Sequence, residues 1–204
     1  MTKRYFDRAY GLETQSDTDA LYRDWAESYD DEVGAMGYAT PGRVAAALRN
    51  FAADPTSALL DYGCGTGVSG AALAGVGFTS IDGMDPSPEM LAQARAKGIY
   101  RDLLPLDLSD PAPVPSGRYP LIAAIGVIGA GAAPLAAFDL LMRALPRGGL
   151  LGLSFNDATL ADPSCEGRVS DWTDTGAARL KFREHGPHLR EKNINATVYV
   201  IERA

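Results

Sequence analysis

Two aspartates and three glycines are the residues whose spacing points most directly to chemistry. In "LLDYGCGTG" (59–67), Asp61 stands just ahead of Gly63, Gly65 and Gly67, and Asp85 follows eighteen residues beyond the last glycine. Glycine inside a strand or helix costs roughly 0.5–1 kcal/mol relative to alanine, so three in five positions mark a turn that needs them. Lacking side chains, they permit a tight turn and let a ligand approach the backbone closely. A helix opening near Val68 would present free N–H groups and the positive end of its dipole at that turn. A carboxylate ending the next strand, as Asp85 would, can accept hydrogen bonds from two ribose hydroxyls. The combination implies a cofactor that contains a nucleoside.

Which nucleoside depends on register. "GTGVSG" (65–70) matches the G-x-G-x-x-G of dinucleotide binding, a weak signal by itself. That register would run a strand through Asp61, Tyr62, Gly63 and Cys64, a poor strand end. Starting the loop at Gly63 leaves "ALLDY" as the strand and Asp61 at its tip. A carboxylate there suits a positively charged ligand group and sits badly beside a pyrophosphate. The amino group and sulfonium of S-adenosylmethionine carry such charge, so the second register is preferred and a nicotinamide cofactor is the rival. Cys64, between two glycines, reads as a small residue at a crowded turn, with a nucleophile as the sharper alternative.

The elements that must hold this loop follow from hydrophobic rhythm. "DTDALYRDWAESYDDEVGAMG" sets Leu21, Trp25, Tyr29, Val33 and Met36 on one helical stripe. Thr40 and Pro41 form an N-cap and first-turn pair for a second helix. From residue 57, short apolar strands alternate with helices: "SALLDY", "TSIDGMD", "YRDLLPLDL", "YPLIAAIGVIG" and "GGLLGLSFN" are strand-like. "VSGAALAG", "SPEMLAQARAKG" and "PLAAFDLLMRAL" are helical, the second with Ser87 as cap, Pro88 at its first position and Gly98 at its end. The final stretch reads as a hairpin turning at His185-Gly186-Pro187-His188. Such alternation predicts an open, doubly wound parallel sheet with helices on both faces, whose ligands sit beyond the carboxyl ends of the strands.

Composition narrows the function classes. The 204 residues suffice for one domain that buries about 70% of its extended surface. No apolar run approaches the ~20 residues of a membrane span, and "MTKRYFDRAYGLETQSD" is too polar for a signal peptide. Cys64 and Cys165 have no paired-ligand spacing, so no metal site is expected, and a cytoplasmic setting is the default. A net charge of −7 argues against a nucleic-acid partner. Acids crowd residues 17 to 32, while Arg179, Lys181, Arg183, Arg190 and Lys192 gather near the end. Solvated faces explain both runs; a basic rim for an anionic substrate is the alternative.

"LLDYGCGTG" resembles motif I of the class I S-adenosylmethionine-dependent methyltransferases, and "MDPSPEMLAQAR" their second-strand acid and following helix. "ALPRGGLLGLSF" is similar to their turn and fifth strand. "LYRDWAESYDDEVGAMGYATP" and "SPEMLAQARAKGIY" look closer to one branch, the small methyltransferase-like proteins of the Williams–Beuren-region type. The resemblance, over roughly residues 20 to 155, implies a Rossmann-like, mostly parallel seven-stranded sheet with an antiparallel C-terminal hairpin. It implies one domain over residues 1–204, with an N-terminal helical lid (1–55) on the core (56–204). By position, Asp61 would bind the methionine amino end; Gly63, Gly65 and Gly67, with Cys64 between them, would line the methionine and ribose. Asp85 would take the ribose hydroxyls, Met84, Pro86 and Met90 would flank the adenine, and Asp107 with Leu108 would read its amino edge. Ile125 and Gly126 would lie under the cofactor, and S-adenosylhomocysteine would be the product. The sequence departs from the family at Pro120, usually an aspartate, and at "PRGG", where lysine-proline-glycine-glycine is usual. "GVIGAGAAP" carries no acid or histidine, so no catalytic residue is assigned.

Several residues admit a plain reading beside a sharp one. Asp61 could merely cap a helix; so could Asp85. Asp102 competes with Asp107 if the third strand is short. Tyr22 and Tyr29, seven apart with Trp25 between, belong to a core stripe or to a lid over residues 18 to 40. In the lid, Tyr29 would face the sulfonium, since an aromatic face attracts cations, and Tyr22 the substrate. His185 and His188 are surface hairpin residues, an acid/base pair or metal ligands. Asn156, with Asp157, faces the substrate or simply ends a strand. The expected function is methyl transfer to a small-molecule acceptor. A cofactor-binding partner or regulatory subunit without turnover is the alternative.

Overall fold

Seven strands form one sheet: Leu59–Tyr62 (β1), Ile81–Asp85 (β2), Leu103–Pro105 (β3), Leu121–Ala124 (β4), Leu150–Asn156 (β5), Ala178–Leu189 (β6) and Ile194–Arg203 (β7). They come from a computed structural model that describes Tyr5 and residues 15–129 and 132–204. The order is β3-β2-β1-β4-β5-β7-β6. β1 to β5 run parallel, and β7 inserts antiparallel between β5 and β6. This is a Rossmann-like, mostly parallel sheet with the expected antiparallel C-terminal hairpin.

Side chains alternate across a strand with a period of two, and that alternation divides the core. Leu60, Met84, Ile122, Leu151 and Leu153 pack on one face against Phe138, Leu141 and Met142 of the helix Ala136–Ala144. Leu59, Ile81, Leu121, Val198 and Val200 pack on the other, against Val44 and Leu48 of the helix Thr40–Phe51 and Leu73 of the helix Val68–Gly75. Trp25, Val33, Met36 and Leu189 form a third, separate cluster. The N-terminal helices thus pack as a satellite, joined to the sheet through Leu189 of β6 and the partly buried Ile194 of β7.

Five local expectations need correction. The N-terminal stripe is two helices, Gln15–Trp25 and Tyr29–Ala35, broken where Ser28 N donates to Trp25 O (3.0 Å). Thr40 is not the cap of the next helix: Ala39 holds that position, and the Thr40 hydroxyl is taken by His188 Nδ1 at 2.8 Å. The third strand stops at Pro105, leaving Asp107 in the loop beyond it. His185 to His188 lie inside β6, and the hairpin turns at Arg190–Asn193, where Asn193 takes a left-handed φ of 53°. Asparagine tolerates that conformation, and Pro187 is tolerated because β6 is an edge strand. Finally, the helices Asp157–Leu160 and Ser164–Asp174 were not anticipated.

The basic run near the end is mostly paired. Arg179 and Lys181 both reach Glu202, and Arg183 reaches Glu166. Charges along an edge strand discourage pairing with another chain, which is the solvated-face reading of this run.

Candidate cofactor and acceptor site

A cavity of about 860 Å³ opens at the carboxyl ends of the central strands. Its wall gathers twelve residues singled out in the sequence: Gly63, Cys64 and Gly65 from the glycine loop; Asp85, Pro86 and Met90 from β2 and the next helix; Asp107 and Leu108; Ile125 and Gly126; and Tyr22 and Tyr29. Four lie elsewhere. Asp61 is fully buried behind the loop. Gly67 caps the helix Val68–Gly75 in a left-handed conformation (φ 91°). Met84 is buried in the sheet, and its carbonyl accepts from Gly63 N (2.8 Å) and Cys64 N (3.0 Å). Asn156 is off the cavity wall, and its side-chain oxygen caps the helix Asp157–Leu160 by accepting from Thr159 N (2.8 Å).

The glycine loop owes its shape to these carbonyl contacts and to Asp85. Gly63 has φ 69°, and a Cβ there would lie 2.1 Å from Val127 Cγ2, so neither backbone nor space admits another residue. Asp85 accepts from Gly65 N (2.8 Å) on Oδ2 and from Ser87 N (2.9 Å) on Oδ1. Both its capping and its ligand readings therefore have a basis. The carboxylate fixes loop to strand, and each oxygen retains a lone pair for a hydroxyl donor. Burial raises its pKa, opposed by these two amides. Ser87 caps the helix Pro88–Ala96 as expected, accepting from Met90 N (3.2 Å).

Asp61 differs from Asp85 in what it lacks. Ser69 Oγ (2.7 Å) and Tyr100 Oη (2.8 Å) both donate to Oδ2, while Oδ1 is buried without a partner. Trp25 Nε1 and Glu32 Oε2 are the other such side-chain atoms among the described residues, and both belong to the N-terminal segment. Burial pushes the Asp61 carboxyl up to about 6 against the pull of the two hydroxyls. An orphaned, partly ionised carboxylate oxygen beside a helix N-terminus fits an ammonium group of a bound ligand, and no cation among the described residues pairs with it.

Other candidates resolve from their contacts. Burial, then Asp61 and Asp85, pushes the Cys64 thiol far up, so it is no nucleophile. Asp107 is exposed and held low by the Ser109 hydroxyl (2.6 Å) and amide (2.8 Å). Tyr22 and Tyr29 sit on separate helices, yet both pack on Trp25, at centroid distances of 5.9 and 4.7 Å. Core stripe and cavity wall are therefore the same group of rings. Burial, then Tyr38, Tyr22, Asp30 and Asp85, holds the Tyr29 phenol well above its ordinary range, so it stays neutral. His185 pairs with Asp157 (2.8 Å) off the cavity wall, and buried His188 is pushed down to about 4, chiefly by burial and then by Arg43. No metal-binding group of His, Cys, Asp and Glu occurs among the described residues.

Sequence reasoning missed Tyr38, Ser69 and Tyr100. Tyr38 lines the cavity, and its hydroxyl would meet a Cβ on Gly126 at 2.4 Å. The available signal for Tyr100 was Gly70 inside a helix and Gly83 inside a strand, since such glycines mark close approach by another group. In the loop after β4, the described residues Val127, Ile128, Gly129, Ala132, Ala133 and Pro134 carry no acid or base; Ala130 and Gly131 lie outside the described residues.

Comparison with known proteins agrees with this geometry. A family model described as a methyltransferase domain matches residues 36–198. Human methyltransferase-like protein 27 is 33% identical over 149 residues, which is 72% of this chain and 60% of that protein. The chain therefore spans less than two thirds of that relative's length. A TehB-like S-adenosylmethionine-dependent methyltransferase from Corynebacterium glutamicum superposes with a TM-score of 0.62 at 20% identity, covering 91% of this chain and 99% of that one. A Thiobacillus denitrificans S-adenosylmethionine-dependent methyltransferase, solved with S-adenosylhomocysteine, superposes with a TM-score of 0.53 at 11% identity, covering 79% and 91%. These two likenesses concern the fold; the family rests on the domain match and the human relative. The chain belongs to the methyltransferase-domain family.

Proposed function

We propose that the protein methylates a small, partly apolar acceptor molecule bound in the same cavity as the cofactor. The carrying observation is that one continuous cavity joins the glycine loop and Asp85 to an apolar wall from Val127, Ala133, Pro134, Ala137 and Leu140. At about 860 Å³ it lies at the upper end of ordinary ligand cavities, ~300–1,000 Å³, which leaves room for a second molecule. A net charge of −7 disfavours a nucleic-acid acceptor. Membership of the Williams–Beuren-region branch is part of this reading, supported by the 33% identity to human methyltransferase-like protein 27.

The cofactor supplies an activated methyl group on a sulfonium centre, so the chain's task is alignment and exclusion of water. In this reading Asp85 takes the ribose hydroxyls and Asp61 the amino end. Pro86, Met90, Asp107 and Leu108 surround the adenine, and Ile125 and Gly126 form the floor. Tyr29, a neutral phenol, offers its ring to the sulfonium, where an aromatic face attracts positive charge. Residues 18 to 40 serve as a lid, supported by the satellite packing of their cluster and by the cavity contacts of Tyr22, Tyr29 and Tyr38. The loop after β4 contributes shape and no described proton acceptor, which favours an acceptor atom that is nucleophilic without a protein base.

The test is methyl transfer from labelled S-adenosylmethionine into small-molecule extract fractions, with protein and RNA fractions alongside. Label in small molecules supports the reading, and label confined to protein or RNA overturns it. The lack of an acid or base among the described residues of the loop after β4 also suits a cofactor-binding partner subunit. Cofactor binding without turnover in any fraction would favour that second reading.

A further inference from the structure

Asp61 is a buried acid with an unusual division of partners. Both protein donors, Ser69 Oγ and Tyr100 Oη, go to Oδ2, and Oδ1 is left alone. Tyr100 comes from the loop before β3, 39 residues away in sequence. It reaches Asp61 through space the chain keeps clear. A Cβ on Gly70 would lie 2.2 Å from its hydroxyl oxygen, and one on Gly83 would lie 3.0 Å from its ring. Both glycines stand inside regular elements, the helix Val68–Gly75 and β2, where each costs roughly 0.5–1 kcal/mol. The passage of this one side chain accounts for Gly70, and at Gly83 it shares the space with Leu103 Cδ2 (2.7 Å) and Cys64 Sγ (2.9 Å).

We propose that Tyr100 is a positioning residue of the cofactor site: with Ser69 it pins Asp61 Oδ2, so that Oδ1 remains an oriented, ionised acceptor for the cofactor's ammonium group. This rests on the reading that Asp61 takes the amino end. Two donors on one oxygen fix the rotation of the carboxylate, and hydroxyl donors favour its charged form. The groups facing Asp61 are Ser69 from the helix, Cys64 from the glycine loop, Asp85 from β2, and Tyr100. None is cationic; the nearby Lys97 turns instead to Asp30 and the Thr66 carbonyl. The two hydroxyls are therefore what holds Asp61 at about 6 rather than higher.

The experiment is calorimetric titration with S-adenosylhomocysteine between pH 5 and pH 7, a range below the usual titration of an α-amino group at about 7.7–8.0. Wild-type affinity should fall as pH drops through the Asp61 transition. Tyr100→Phe fills the same slot without the hydroxyl. It should bind about three- to tenfold more weakly at pH 7, with the transition moved up by about half a pH unit or more. Ser69→Ala should move it the same way, and carries the test alone if Tyr100→Phe does not fold. Asp61→Asn should bind weakly without the transition. An unmoved transition in the folded variants overturns the proposal, even with weaker binding, because packing alone would then explain the loss. A wild-type transition retained in Asp61→Asn overturns it too, by assigning the titration to Asp85. Absence of wild-type binding at every pH is a different failure, that of the cofactor assignment itself.

Discussion

The two ends of the central sheet treat a buried aspartate in opposite ways. At the amino end, Asp82 is fully buried and fully met: Arg101 Nε and Nη2 each donate at 2.9 Å, Tyr119 Oη at 2.9 Å, and Arg118 Nη2 lies at 3.4 Å. At the carboxyl end, one strand over, Asp61 is as deeply buried, has two neutral donors on one oxygen and keeps the other bare. Asp85, three residues along the same strand as Asp82, is held by amides alone. Where a carboxylate serves the fold, the chain brings the cations itself. At the proposed cofactor site, the described residues orient the acid and bring no cation to it, which is what an ammonium group supplied by a ligand would complete.

Removing the self-sufficient acid gives the largest effect. Breaking a buried ion pair costs about 3–5 kcal/mol, but Arg101 and Arg118 are half exposed and can turn to water. Asp82→Asn should therefore cost on the order of 3 kcal/mol, or about 6–12 °C in melting temperature for a chain of this size. Cofactor affinity of the folded protein should be unchanged in calorimetry. Loss of affinity with full stability would show that the two ends of the sheet are not independent.

Asp85→Ala should do the reverse. Hydrogen bonds to a charged group are worth roughly 1.5–3 kcal/mol, so cofactor binding should weaken about ten- to a hundredfold. The fold should survive, with some loosening at Gly65 and Ser87. Unchanged affinity in a folded variant would move the ribose contact elsewhere.

Asp61 separates stability from binding most sharply, because its ionised form is a burden to the cofactor-free protein. Its folded pKa is raised from 3.8 to about 6. Its contribution to stability is thus fully present below 3.8 and lost as pH rises through about 6. Asp61→Asn should stabilise the free protein at pH 7.5 by about 1–3 kcal/mol while weakening cofactor binding. His188 runs the other way: its folded pKa is lowered from 6.5 to about 4, so it costs stability as pH falls through that window. Denaturant titrations at pH 7.5 and pH 5 should show the advantage of Asp61→Asn shrinking at the lower pH. An Asn variant less stable than wild type at pH 7.5 would mean the orphaned oxygen is satisfied within the protein.

Local pattern made the carboxyl end legible. Strand–glycine–helix spacing placed the loop, Asp85 and the Ser87 cap, because each depends on neighbours close in sequence. What depended on distant neighbours stayed hidden. Tyr100 meets Asp61 across 39 residues and Thr40 meets His188 across 148. Asp82 looked like any strand residue until Arg101, Arg118 and Tyr119 converged on it. The hairpin turn was misplaced because Gly186-Pro187 is a strong local turn signal, overridden on an edge strand that needs no inward amide from Pro187. Asn156 followed the rule that strand ends face ligand; here the end is used to cap the helix that follows.

The smallest expected effect lies where the N-terminal helices touch the glycine loop. Lys97 Nζ donates to Asp30 Oδ2 (2.6 Å) and to the Thr66 carbonyl (2.5 Å), and Thr66 Oγ1 donates to Asp30 Oδ1 (2.5 Å). This clasp joins the helix Tyr29–Ala35 to the tip of the loop, beside rings that line the cavity. Both charged groups are partly exposed, so the pair is worth about 1 kcal/mol or less and weakens with salt. If residues 18 to 40 form a lid, that fraction of a kcal/mol biases open against closed, and the bias reads out locally. Asp30→Asn should leave global stability within about 0.5 kcal/mol and speed amide exchange over residues 21 to 33 in the free protein. Saturating S-adenosylhomocysteine should restore slow exchange, because ligand contacts then hold the segment. Equal protection in wild type with and without ligand would make the segment ordinary core. The carboxyl end of the sheet would then be incomplete only in its charges, not in its walls.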